Sequence, residues 1–516
     1  MGQKLRVKCA SFAEWARTAF LVSSVVRRAP TVATVTFGAR LSRFVREKLQ
    51  NAWFWSALAC MLALSGSVRA EDASLADAAS GPSSEYVPAD ASTGRLVVFG
   101  PMRPSPSARA CSFRYPVCVG GGSGDEARVL SALAQAERVY EAFRGPLRLP
   151  FPDGSLATGR FDLVFVDSEV EGEIVLEERD VRSPLDRASG WGKLSRRLPP
   201  GCALDVAVTR LVVRGLLLRT APGTDEGSAR AEAQAVAELL VPCAAGRAGA
   251  SYATFQEHPE RALVTQLARE TGQRTSASFE PALDEHTRGV QAIGAALFYR
   301  WVDRGFSTEP GAVLRGLFAL RASKTDANAL RFMNEPDAFD VLGKSFADKL
   351  FEGSKLDDLL VDFALSRSCF GSSAAGGAVA VMADVPKVRV DWDVPWPKAA
   401  RRLAPREPLE PTGSSYIVVR LEGAGQNPRL RIEADWEEHA RMRVAFVKLD
   451  RDGREIGRAR IAAPPTAHEA QMTVADLEGT SSLVVVTTNL GDTSFHFDPD
   501  DGTVEPHGYA VTLAAE

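Results

Sequence analysis

Two helical segments, each carrying a cysteine at its outer end, constrain this chain more than any other feature. The first, Ala203 to Arg219, is apolar around most of its circumference. A helix of that kind is buried on all sides. Ala221-Pro222-Gly223 stops it, and Thr224 is placed to cap a second helix running to about Leu240. So short a connection makes the helices antiparallel and brings Cys202 and Cys243 together at the open end. A disulfide across that end is expected, provided their separation suits one.

The N-terminus sets the compartment. Arg43, Arg46 and Lys48 precede an apolar run, Ala52 to Leu64, and Val68-Arg69-Ala70 then precedes Glu71. This is the pattern of a secretory signal, with residues 1–42 as an extension better explained by a misassigned start than by a folded element. The run falls short of the roughly 20 apolar residues of a membrane helix, so no stable span is expected after cleavage; an uncleaved anchor is the alternative. Residues 1–70 hold 11 of the 61 basic and 2 of the 65 acidic residues, leaving 50 basic against 63 acidic and a net charge of −13. That balance argues against a nucleic-acid partner. In a periplasmic, cell-surface or extracellular setting disulfides are the expected state of four of the five remaining cysteines. Cys111 and Cys118 close a short loop, Cys202 and Cys243 close the hairpin, and Cys369 is left as a buried thiol with no activating base in view.

Composition divides the rest. Residues 71–94 read as a flexible tether rich in Ala, Ser and Asp, and 95–383 as a mostly helical α+β domain. Six prolines, at 386, 395, 397, 405, 408 and 411, mark 384–411 as a linker, and 412–516 reads as an antiparallel β-sandwich. Within the first domain, Val129, Leu130, Leu133, Ala136, Tyr140 and Phe143 predict one apolar helix face, and Phe161 to Asp167 predicts a buried strand. Val290, Ile293, Gly294, Leu297, Phe298 and Trp301 form a second apolar stripe, followed by helical segments near 311–322, 336–351 and 355–367. In the sandwich, strands are expected at 416–421, 429–434, 443–449, 455–461, 482–488 and 509–513, with Asp452-Gly453 as a tight turn.

No complete catalytic motif appears. The six histidines, at 258, 286, 439, 468, 496 and 507, include no pair one helical turn apart, so no HExxH zinc site is present. Gly343-Lys344-Ser345 lacks the earlier glycine of a phosphate loop, and Gly120 to Gly124 reads as a loop entering a helix. Asp498, Asp500 and Asp501 lack the glycine and distal Glu of a calcium loop.

The order of parts nonetheless resembles the gluzincin zinc metallopeptidases secreted by myxobacteria and their relatives. A signal, a strand-and-helix part, Leu149-Pro150-Phe151-Pro152-Asp153-Gly154 before a strand, a helical hairpin, a helical subdomain and a sandwich follow in that sequence. The resemblance implies that the first hairpin helix should carry HExxH and the second a Glu followed by small residues. Glu232-Ala233-Gln234-Ala235 resembles the second pattern. The first-helix positions fall on Thr209, Arg210 and Val213, or on Arg210, Leu211 and Arg214, and neither register offers a zinc ligand. An arginine there sets a permanent positive charge where Zn²⁺ would sit.

Arg210 and Arg214 therefore have two readings: an exposed pair of i,i+4 arginines, or residues that fill a vestigial site by pairing with Glu226 or Glu232 or by holding an anion. The expectation is an exported, non-catalytic, metallopeptidase-like protein without cofactor or metal. It would bind an extracellular polypeptide or glycan or serve structurally in the cell envelope. The alternative is a hydrolase using carboxylates such as Glu226, Glu232 and Asp284.

Overall fold

A six-stranded sheet forms the floor on which the hairpin lies. The structure is a computed structural model and describes residues 97–98, 103–154, 158–179, 188–263, 285–307, 309–321, 337–347, 356–372, 382, 384–464, 466–492 and 505–516. The signal, its extension and most of the tether lie outside the described residues, as do Asp284, Asp498, Asp500 and Asp501.

The floor consists of β1 (Val97–Val98), β2 (Ala108–Cys111), β3 (Val117–Gly121), β4 (Phe161–Val166), β5 (Gly172–Arg179) and β6 (Ala188–Ser195), in the order β1-β5-β6-β4-β3-β2. The pairs β3–β4 and β4–β6 are parallel and the others antiparallel. In the β2–β3 hairpin Cys111 stands directly opposite Cys118, and the two are bonded. α1 (Glu126–Arg144) packs on β2 and β3 through Val129, Ala132, Ala136, Val139, Tyr140 and Phe143. Leu130, expected on that face, is exposed: the buried stripe runs one position to its side.

The expectation of a mostly helical first domain overlooks how much sheet it holds. β6 reads Ala-Ser-Gly-Trp-Gly-Lys-Leu-Ser, and glycine argues against a strand. Its glycines have a packing reason. A Cβ on Gly192 would lie 2.6 Å from Leu163 and 3.1 Å from Leu211 of the overlying helix. Gly215 of that helix likewise admits the Phe161 ring, which a Cβ would meet at 2.6 Å.

That helix is α2 (Cys202–Thr220), followed by α3 (Glu226–Leu240). α2 packs on β5, β6, α1 and α3, and 13 of its 19 residues are buried. Each fully buried Leu or Val contributes about 1.5–3 kcal/mol. The cap of α3 is Asp225, one residue past the expected Thr224: its carboxylate accepts from the Ser228 N–H at 2.7 Å, while the Thr224 hydroxyl turns back to Ala221 O. Cys202 and Cys243 are bonded with Cα atoms 6.2 Å apart. Cys369 is a buried free thiol, its pKa raised by that burial.

Beyond the hairpin come α4 (Ala244–Arg247), α5 (Gly249–Glu257), α6 (Glu285–Gly294), α7 (Ala296–Phe306), α8 (Ala312–Leu320), α9 (Ala338–Ala347) and α10 (Leu356–Arg367). The apolar stripe from Val290 to Trp301 spans two helices, α6 and α7, that meet at Ala295.

Two sheets complete the fold. One orders β13 (Glu469–Val474), β10 (Leu430–Trp436), β15 (Tyr509–Ala515) and β8 (Arg401–Leu403); the other orders β12 (Glu455–Arg460), β11 (Ala440–Leu449), β14 (Ser482–Asp492), β9 (Ser414–Arg420) and β7 (Trp392–Pro395). Ile432 and Val511 from the first sheet and Ile417, Phe446 and Val485 from the second share one core, the arrangement of a β-sandwich. The pairs are antiparallel except β7–β9, which is parallel. The proline-rich stretch 384–411, expected as a linker, supplies β7 and β8; Pro395 is tolerated in β7 because that strand lies at a sheet edge.

The inner strands of the five-stranded sheet, β11, β14 and β9, are buried on both faces over much of their length. Tyr416, Val447, Val484 and Val486 point into the same core as the helices, while their neighbours Ile417, Phe446, Leu483 and Val485 point into the sandwich. A strand covered on both sides reads as an unbroken apolar run, as Leu483-Val484-Val485-Val486 does. Val87–Glu516 accordingly forms one compact unit.

Replacing Cys202 and Cys243 together by serine is expected to lower unfolding free energy by about 4 kcal/mol, the chain-entropy value for a loop of this length. Denaturant unfolding of the full chain measures it, and no loss would show that hairpin packing alone holds the helices.

Candidate functional site

Three polar residues on α2, a helix otherwise committed to the core, generate the site. Thr209 is fully buried; its hydroxyl donates to Asp205 O at 2.7 Å and accepts from Gln135 Nε2 of α1 at 2.8 Å. Arg210, one residue on, points toward α3, where its Nε donates to Gln234 Oε1 at 2.7 Å. Its Nη1 lies 3.6 Å from Glu171, at the start of β5, and Glu171 also pairs with Arg247 of α4. Arg214, one turn further, meets Glu226 at 2.5 Å, and Arg230 reaches the same oxygen at 2.8 Å. Val213 is fully buried in the core.

On α3 the spacing of four does the positioning. Glu226, Arg230, Gln234 and Glu238 form one row, and neighbours in such a row interact. Gln234 donates to Glu238 at 2.7 Å, and Glu238 pairs with Arg300 of α7 at 2.7 Å. The network is a chain: Glu171, Arg210, Gln234, Glu238, Arg300. Burial pushes Arg210 down to about 10; Glu171 and Glu238 oppose the shift, and Arg247 and Arg214 add to it. Burial also raises Glu238 against the pull of Arg300. For Glu226 burial acts upward, but Arg214 and Arg230 together carry its carboxyl below the ordinary range.

Glu232 belongs to a different set. Two residues from Gln234, it lies about 200° around α3 and faces away from Arg210. Its two oxygens take a two-pronged pair from Arg321, just past α8, at 2.9 and 2.5 Å, with both side chains sealed from solvent. Burial raises the Glu232 carboxyl, opposed by Arg321. Tyr299 and Asp225 lie close enough to join this charge balance, as does Asp337, which caps α9 by accepting the Asp340 N–H at 2.7 Å. Burial, with smaller effects from Asp340 and Asp225, pushes Asp337 up to about 7.

The structure thus brings Thr209, Arg210 and Arg214 onto the hairpin with Gln234 and Glu226, and separates Glu232 from them. Glu171, Glu238, Arg300 and Arg321 were not singled out from the sequence; of these, only Glu238 carried a local signal, the spacing of four from Gln234. A gluzincin zinc does not fit these residues. The positions on α2 offer a hydroxyl, two guanidiniums and a valine, and Glu232 is held by Arg321. Among the described residues no group of three or more His, Cys, Asp or Glu comes together to hold a metal.

No family model matches the chain, and no curated protein matches it. Over part of its length it is similar to several solved structures. One is the pre-peptidase C-terminal domain of a Bacillus anthracis collagenase, with 6% identity, 25% of this chain and 100% of that one covered, and a TM-score of 0.17. Another is the Yersinia pseudotuberculosis-derived mitogen, with 13% identity, 22% and 84% covered, and a TM-score of 0.16. A third is a chitosan-binding module from a Paenibacillus sp. IK-5 chitosanase/glucanase, with 18% identity, 22% and 74% covered, and a TM-score of 0.14. Likeness at this level carries no functional argument.

Two outcomes test the sealed pair and its surroundings. Arg321→Met leaves Glu232 buried without its partner and is expected to destabilise by about 3–5 kcal/mol, most of it recovered in the double variant with Glu232→Gln. An additive double variant, measured by denaturant unfolding, would show that the two residues act separately. Asp337, with its pKa raised from 3.8 to about 7, favours the fold when protonated. That contribution is complete below pH 4 and lost as pH rises through 7, on the order of 4 kcal/mol in all. Asp337→Asn keeps a capping side chain and is expected to gain stability relative to the parent over pH 4 to 7; a constant difference would remove the assignment.

Proposed function

We propose that the chain is an exported, non-catalytic relative of the gluzincin peptidases it resembles, with the peptidase scaffold turned to holding a polypeptide outside the cell. The observation that carries this reading is Arg210, which stands where the resemblance puts a zinc-ligand helix and is tied to Gln234 and Glu171. A guanidinium in that place keeps its charge at physiological pH and repels a divalent cation. The carboxylates around it are engaged with arginines, which leaves none poised as a general base. Two disulfides support an oxidising compartment, and no helix among the described residues is long and apolar enough to cross a membrane.

The test is the metal content and peptidase activity of the full chain. After incubation with zinc and extensive dialysis, elemental mass spectrometry is expected to find far less than one zinc per chain, and denatured casein should remain uncut. Near-stoichiometric zinc accompanied by cleavage would overturn the reading.

A further inference from the structure

We propose that Arg210, Arg214 and Arg247 form a carboxylate-binding site for an extended acidic polypeptide. The inference rests on the binding function just proposed and specifies its ligand.

Arg214 of α2 and Arg247 of α4 both lie near enough to Arg210 to act on its charge. Arg210 and Arg247 share Glu171, while Arg214 shares Glu226 with Arg230. Among the described residues, four arginines therefore divide two carboxylates. Arg300 and Glu238 pair with each other alongside and leave that surplus unchanged. An added anion relieves the mutual repulsion of Arg210, Arg214 and Arg247, the same repulsion that helps lower Arg210.

Donors are in surplus as well. A guanidinium carries five N–H groups on a rigid fork. Arg214 and Arg247 each reach a carboxylate through Nη2. Arg214 meets Glu226 through Nη2 alone among the described residues. Arg247 has 40% of its side chain exposed, whereas Arg214 at 10% lies deeper. A planar carboxylate matches such forks with two parallel hydrogen bonds.

Spacing favours a polypeptide as the carrier. Arg210 and Arg214 stand four residues apart on one helix, a rise of about 6 Å. In an extended chain, side chains at alternate positions share one side and are separated by about 6.6 Å. A segment with acidic residues at every second position presents carboxylates at that interval.

The test is fluorescence anisotropy with the full chain and a labelled octapeptide alternating Glu and Ser, compared with one alternating Gln and Ser. The acidic peptide is expected to bind at least about tenfold more tightly, and more weakly as salt rises. Arg247→Ala changes an exposed side chain and is expected to weaken binding about tenfold with the melting temperature kept. Arg214→Gln is expected to weaken it further. Equal affinity for the two peptides, no binding, or full affinity in Arg247→Ala would overturn the proposal. Binding of an oligouronate but not the peptide would overturn the choice of ligand. Failure here with no retained zinc removes this site alone, whereas zinc with hydrolysis removes the function on which it rests.

Discussion

The deep burial of α2, with 13 of its 19 residues out of solvent, is the constraint on which the rest of the molecule depends. A helix so placed must find partners for the polar groups it buries, because an unpartnered buried polar atom costs about 1–3 kcal/mol and a charge more. Thr209 draws in Gln135, Arg210 draws in Gln234 and Glu171, and Arg214 draws in Glu226. Those requirements fix how α1, α3 and the start of β5 sit around α2. The glycines at 192 and 215 then let the helix approach the sheet closely, with Leu211 over Gly192 and the Phe161 ring against Gly215. Packing and polar pairing are here one requirement met from two sides.

The second structural dependence is the five-stranded sheet. With one face in the sandwich core and the other in the helical core, it makes the C-terminal region part of the same packed body. Buried polar contacts reinforce the seam: the Tyr416 hydroxyl donates to Ala364 O at 3.0 Å, and Gln256 Nε2 donates to Pro386 O at 2.9 Å. Arg389, from the proline-rich stretch, reaches Glu260 beside α5 at 2.9 Å. Residues 384–411 thus carry two edge strands and a contact to Glu260.

What the sequence made legible was whatever depends on local period. The hairpin, both disulfides, the face of α1 apart from Leu130, and the strands from β9 to β12 with β14 and β15 follow from spacing and turn chemistry. β6 was hidden by glycines whose reason is the close approach of Leu163 and of α2, and β7 by Pro395, which an edge strand accepts. β13 was hidden because, as an edge strand, it leaves much of its surface polar. For the site, two arginines on an apolar helix announced that partners must exist. Which partners could not be read, since Glu171 and Arg321 arrive by tertiary folding from about 40 and 90 residues away from the residues they hold.

The sealed pair of Glu232 and Arg321 settles which face of α3 meets α2. A bidentate pair shut away from solvent tolerates almost no rotation of the helix that bears it, because any roll would strand one charge in the core. With Glu232 turned toward Arg321, the row of Glu226, Arg230, Gln234 and Glu238 is held on the opposite side, against Arg210 and Arg214. The residue that answers Arg210 is thus Gln234, a neutral amide, and not the carboxylate that a comparison of local sequence suggests. An amide oxygen satisfies two guanidinium donors without cancelling their charge. The hairpin in this way holds Arg210 largely buried against an amide, with Glu171, which it shares with Arg247, as its nearest carboxylate.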